Sequence, residues 1–236
     1  HMEGNWCAAA VADGASWAEH AAEASSLAGM SFMEKVRQWE ESGREINPAI
    51  VKMILQRVNV ELLAKSRARE MKAIETVNAA GLKGRARDLE IGRLVDMPTT
   101  FDGMVFNGSK IITAHLGDSR IYVLRGGVLS QLTQDQTRAE RLWSQGQPVD
   151  EARDESVLTN YLGKDEINIS VNEYSFENGD VWLAVSDGVF KVLDEREIKE
   201  ILSQPKDAVS LANDLIAAVQ DNGAFDDASA VIVKVK

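Results

Sequence analysis

One cysteine, Cys7, stands in 236 residues, so no disulfide can form within the chain and a reducing compartment fits. No apolar run approaches the roughly 20 residues that span a bilayer. No signal peptide opens the chain, and a cytoplasmic location is the expectation. Positive charge is in short supply: 26 Lys and Arg against 37 Asp and Glu give a net charge of -11. That balance argues against a protein that grips nucleic acid or an anionic membrane, because phosphate surfaces need basic patches. There are three histidines, and no Cys–His or Ser–His arrangement suggests a protein nucleophile.

What remains is globular in composition, 44% hydrophobic and 27% charged. The length allows one domain, 1–236, with His1-Met2 read as a cloning remnant outside the fold. A short strand of small residues is expected over 6–12. A helical region over 17–41 follows, its apolar stripe running through Ala18, Ala21, Ala22, Leu27, Met30, Met33, Val36 and Trp39. A second helix begins at Pro48 and runs to about Ala73, with Ile50, Met53, Ile54, Val58, Val60, Leu62 and Leu63 on one face. Gly81, Gly84 and Gly92 break the periodicity over 76–98, which reads as a loop with short helical pieces. From Thr99 the period changes to two, with Asn107-Gly108 and Gly126-Gly127 as tight turns. A helix containing Ala139 and Leu142 follows Asp135. A strand ending near Phe176 turns at Asn178-Gly179 and pairs back with Val181 to Val185. Helices over 194–203 and 206–221 precede a closing strand. Helices, antiparallel strands, helices and a last strand make an α+β fold, with helix pairs covering a β core.

Charge is placed unevenly. Lys65, Arg67, Arg69, Lys72, Lys83, Arg85, Arg87 and Arg93 face only Glu70, Glu75, Asp88 and Glu90 across residues 65–93. This segment is either a solvated helix face or a docking surface for an acidic or phosphorylated partner.

Two stretches share a form. "AAAVADGAS" and "VWLAVSDGVF" each run apolar and then meet Asp-Gly, at Asp13-Gly14 and Asp187-Gly188. A third acid, Asp226, lies just before the final strand. Each Asp-Gly alone is an ordinary turn, and Asp227 and Asp102 are read as acids of that ordinary kind. If the strand ends converge, however, the carboxylates repel, and a divalent cation relieves the cost of desolvating them together. Oxygen donors of this kind suit Mg²⁺ or Mn²⁺. Glycine after Asp13 lets the backbone turn so that its carbonyl can also face a cation.

"ITAHLGDSRIYVLRGGVLSQLTQDQT" resembles the Gly-Asp-Ser-Arg strand and hairpin of the metal-dependent Ser/Thr protein phosphatases, type 2C (PPM class). "VADGAS", "PTTFDGMVF", "VLTNYLG", "VWLAVSDGVF" and "FDDASAVIV" are similar to further segments of that family, in its order, across residues 6–235. The resemblance implies a four-layer α-β-β-α sandwich of two antiparallel sheets with two metals at one edge, and hydrolysis of phosphoserine and phosphothreonine on proteins by a metal-activated water. It implies that Asp13 bridges both metals and Gly14 offers its carbonyl. It also implies that Asp187 and Asp226 hold the first metal, and that Asp118 matches the acid associated with a third ion in bacterial members. Asp13 and Asp187 are the residues on which catalysis would rest, with Mn²⁺ or Mg²⁺ as cofactor and a phosphoprotein as substrate.

The chain departs from the family pattern at its start. No Arg occurs before Arg37, and the Asn-Glu-Asp strand has no match; Glu3 is the one acid upstream of Asp13. Pro98 stands where glycine is usual. His20 sits two residues later than the histidine of some relatives and is not assigned as a general acid. Cys7 and His115 read as core. Three readings follow: a phosphatase, a catalytically weak phosphatase-like adaptor, or a structural α+β domain whose acids are turns. Residues 65–98, longer and more basic than in compact relatives, are taken as an insert or flap.

Overall fold

A computed structural model describes residues 6–108 and 110–235. The order of elements is β1 (Trp6–Val11), α1 (Ala21–Glu41), α2 (Pro48–Ala79), α3 (Gly84–Val95), β2 (Phe101–Asn107), β3 (Lys110–Leu116), β4 (Arg120–Arg125), β5 (Val128–Gln131), α4 (Arg138–Ser144), α5 (Glu151–Asp154), β6 (Ser170–Ser175), β7 (Val181–Val185), α6 (Asp187–Phe190), α7 (Glu195–Leu202), α8 (Ala208–Asp221) and β8 (Ala230–Lys234). The strands form two four-stranded sheets, ordered β1-β2-β3-β6 and β5-β4-β7-β8, with antiparallel pairing throughout.

Alternation along each strand sorts side chains into three apolar layers. Met104, Phe106, Ile111, Ile121, Val123, Trp182 and Ala184 meet between the sheets. Phe101, Val105 and Ile112 face the other way, onto Phe32, Val36, Leu55 and Val58 of α1 and α2. Leu183, Val185 and Ile232 pack on Leu211, Leu215 and Val219 of α8. A strand covered on both faces has no polar side, which is why "VWLAV" is an unbroken apolar run and is buried at all five positions. Each fully buried Val or Leu side chain in it contributes about 1.5–3 kcal/mol. Gly103 makes room for this packing: a Cβ there would lie 2.7 Å from Phe101, whose ring stacks edge-on with Phe32 at 4.9 Å.

Several expectations are corrected. The helix from Pro48 continues to Ala79, and α3 replaces the expected loop. Gly81 and Gly84, at φ +72° and +58°, form the turn between two helices, and Gly92 is carried inside the second. The buried face of α1 is Ala24, Ala28, Phe32 and Val36, so Met30, like Val60 on α2, faces solvent. β6 and β7 are not partners: β6 pairs with β3 and β7 lies between β4 and β8. The turn at Gly179 passes the chain from one sheet to the other, and buried Asp180 holds it by accepting from Arg125 Nε at 2.8 Å and the Glu177 amide at 2.9 Å. No helix among the described residues is long and apolar enough to cross a membrane.

Candidate metal centre

Asp13 follows β1, and two threonines hold its backbone. The Thr100 amide donates to the Asp13 carbonyl at 2.8 Å, as does Thr99 Oγ1 at 2.9 Å. The Asp13 amide donates to Thr100 Oγ1 at 3.0 Å, and that hydroxyl is 2.7 Å from Ser119 Oγ. These bonds occupy the main chain and leave the carboxyl group to point elsewhere. Gly14 lies against the start of α1, where a Cβ would meet the Ala21 carbonyl oxygen at 2.2 Å.

Asp187 opens α6 in the corresponding way. The Ser229 amide donates to Ser186 Oγ at 3.0 Å, and a Cβ on Gly188 would meet the Asp227 carbonyl at 2.3 Å. The loop bearing Asp226 is therefore pressed onto the β7–α6 turn. Asp118 comes from the β3–β4 turn, where Gly117 takes φ +108°. In both Asp-Gly pairs the glycine is where another segment closes in, which brings acids distant in sequence together.

Asp13, Gly14, Asp118, Asp187 and Asp226 all line one cavity of about 160 Å³, with Trp17, Ser156 and Leu158 at its rim. Burial, followed by the charges of Asp187, Asp226 and Asp118 and a hydrogen-bonding contact with Asp187, pushes the Asp13 carboxyl up to about 7. Burial and Asp187 push Asp118 up to about 6. Asp187 Oδ1 is buried without a hydrogen-bond partner. Its Oδ2 accepts from Lys191 Nζ at 2.5 Å. Burial disfavours the charge on Lys191, but Asp187, Asp118 and Asp226 together outweigh it and raise its pKa. Among the described residues no three side chains already stand in a closed ligand set. Even so, the donor chemistry fits a hard cation: four carboxylates face one cavity, two of them, Asp13 and Asp118, are raised in pKa, and one buried oxygen is unbonded.

The other candidates lie elsewhere. His115 is buried in β3, 2.9 Å from Asp102 Oδ1 and 2.9 Å from the Gln134 carbonyl. Asp102 is consequently not a turn acid: it sits inside β2, fully buried, with its carboxyl pushed up to about 6 by burial. Burial also pushes the Cys7 thiol up, away from a nucleophilic thiolate. His20 lies 3.8 Å from Glu23. Residues 65–98 do not line the cavity; 65–95 hold the end of α2 and all of α3, tied to α1 by Arg69 on Glu23 and to the segment before α1 by Arg93 on Glu19. Sequence reading missed Lys191 and the Thr100–Ser119 pair. Lys191 had a signal, since it stands four residues after Asp187, but α6 was not expected to be helical.

A sandwich of two antiparallel sheets flanked by helices, with carboxylates gathered at one edge, defines a class. The family model described as Protein phosphatase 2C matches residues 1–205, and the chain belongs to that family. Among similar proteins, protein phosphatase PhpP of Streptococcus pneumoniae is 29% identical over 142 residues, 58% of this chain and 58% of PhpP. Serine/threonine protein phosphatase PstP of Mycobacterium tuberculosis is 31% identical over 146 residues, 60% of this chain and 28% of PstP. The aligned part thus spans less than two thirds of these relatives. A solved structure of the PstP catalytic domain with 2 manganese ions superposes with a TM-score of 0.73 at 23% identity, covering 100% of this chain and 90% of that one.

Proposed function

We propose that the protein hydrolyses phosphoserine and phosphothreonine in other proteins, with Asp13, the Gly14 carbonyl, Asp118, Asp187 and Asp226 holding two or three Mn²⁺ or Mg²⁺ ions. The observation that carries this reading is that four acids from four separate stretches of chain line a single cavity. Ions of this kind, when bound, supply positive charge for phosphoryl oxygens and lower the pKa of water. The chain's own part is to hold the carboxylates close enough that burial and neighbouring charge raise the proton affinity of Asp13 and Asp118, which favours exchange of protons for cations. Asp13 and Asp187 line this cavity together and are the pair on which activity rests. The Thr99–Thr100 clamp fixes the direction of Asp13. An adaptor would have no use for four carboxylates at one cavity.

The partner surface narrows to three cations. Lys65, Arg67, Arg69, Arg87 and Arg93 already pair with acids of the chain. Lys72, Lys83 and Arg85 have no ion pair among the described residues and are where an acidic partner would meet α2 and α3.

Hydrolysis of an aryl phosphate and of a phosphothreonine peptide tests the reading, in EDTA and with Mn²⁺. Turnover is expected only with Mn²⁺, and Asp187→Asn is expected to lower it about a hundredfold or more with the fold intact by circular dichroism. Equal turnover in EDTA, or an unaffected Asp187→Asn protein, contradicts it.

A further inference from the structure

Lys191 leaves the end of α6 and returns its ammonium to Asp187, four residues earlier, at 2.5 Å. It is the only cationic side chain among the described residues lining the carboxylate cavity. Asp118, 8% exposed, and Asp226 line the same cavity and act on the same ammonium. The Lys191 side chain is still 30% exposed, so it is held without being locked in. It also lines a second, larger groove of about 620 Å³, whose wall includes Glu140, Glu151 and Glu155. One flexible stem therefore borders two acidic spaces, and rotation about it carries the charge from one to the other.

Lys191 holds Asp187 Oδ2 and leaves Oδ1 unbonded, so an ammonium and a divalent cation ligated by the same carboxylate repel each other and compete for its single negative charge. We propose that Lys191 is a tethered counter-ion of the carboxylate cluster, which competes with a divalent cation for Asp187 and sets the cation affinity of the site. This rests on the cavity being a cation centre. Metal-free, the lysine neutralises part of the cluster and keeps it compact. A cation on Asp187 Oδ1 then repels the ammonium on Oδ2 and drives it toward the glutamate-lined groove.

The test is Mn²⁺ binding to the EDTA-stripped full chain, followed by calorimetry and by the electron spin resonance signal of free Mn²⁺. Lys191→Met keeps the stem and removes the charge; Lys191→Arg keeps the charge. Lys191→Met, and likewise Lys191→Gln, is expected to bind Mn²⁺ about tenfold or more tightly than the unaltered protein, with Lys191→Arg close to it. In EDTA at neutral pH the Met variant is expected to melt lower than the unaltered protein, with the gap closing on addition of Mn²⁺. Identical isotherms for the unaltered and Met proteins overturn the role of Lys191 while leaving the cation centre standing. Absence of Mn²⁺ binding in every variant overturns both.

Discussion

Gly14 and Gly188 act alike at the same edge of the sandwich: each is a place where a side chain would block the approach of another segment. A Cβ on Gly188 would sit 2.3 Å from the Asp227 carbonyl, so Gly188→Ala pushes the Asp226 loop off the β7–α6 turn. The expected cost is about 1–3 kcal/mol in urea unfolding, accompanied by weaker Mn²⁺ binding. Gly29 is the contrast. It lies within α1 with nothing within 4 Å of an added Cβ, so Gly29→Ala is expected to stabilise by about 0.4–1 kcal/mol and leave Mn²⁺ binding alone. If both substitutions shift stability in the same direction, the steric account of the Asp-Gly pairs is wrong. The repeated Asp-Gly pattern was legible in the chain. The reason for the glycine was not, because the atoms that exclude a side chain at Gly14 and Gly188 belong to Ala21 and Asp227, and only the fold sets them there.

At the scale of elements, long periodic segments declared themselves. α1, α2, α7 and α8 begin within a few residues of where spacing and caps place them, helped at α7 by the capping box of Asp194 and Glu197. Elements whose identity depends on distant partners did not. Asn178-Gly179 is a sound turn signal, yet sheet membership of β6 and β7 is decided by β3, β4 and β8. α6 has four residues, too few to show a period. Tertiary links between elements are similarly silent in the sequence. Asn59 of α2 donates to the Lys164 carbonyl at 2.9 Å and accepts from the Gly163 amide at 2.7 Å, pinning a loop more than a hundred residues away. Asn59→Ala leaves those groups without partners and is expected to cost about 1–3 kcal/mol. Limited proteolysis should then cut first near residues 158–166, and unchanged cleavage would show that Asn59 does not hold that loop.

Over the whole molecule, proton uptake and cation uptake are linked. Burial and mutual repulsion raise Asp13 to about 7 and Asp118 to about 6, and burial raises Asp102 to about 6. Burial would lower His115, but Asp102 overrides it and His115 is raised as well. Groups raised on folding stabilise fully below their unfolded values and lose that contribution as pH climbs through the folded ones. The metal-free protein is therefore expected to melt at steadily lower temperature from about pH 5 to about pH 7. Glu23, Glu61 and Asp180 are lowered on folding, but their contribution is lost only as pH falls below the ordinary carboxylate range, outside this window. Mn²⁺ is expected to flatten the slope by replacing protons at Asp13 and Asp118. A metal-free melting temperature that rises over this window would contradict the electrostatics described.

The central claim is that acids at positions 13, 118, 187 and 226 meet to hold divalent cations. Anomalous scattering from crystals soaked in Mn²⁺ tests it most directly. The account predicts peaks within about 2.0–2.4 Å of carboxyl oxygens of both Asp13 and Asp187, with the Lys191 ammonium displaced from Asp187. Saturating Mn²⁺ with no peak between those two carboxylates, and Lys191 still seated on Asp187, would contradict it.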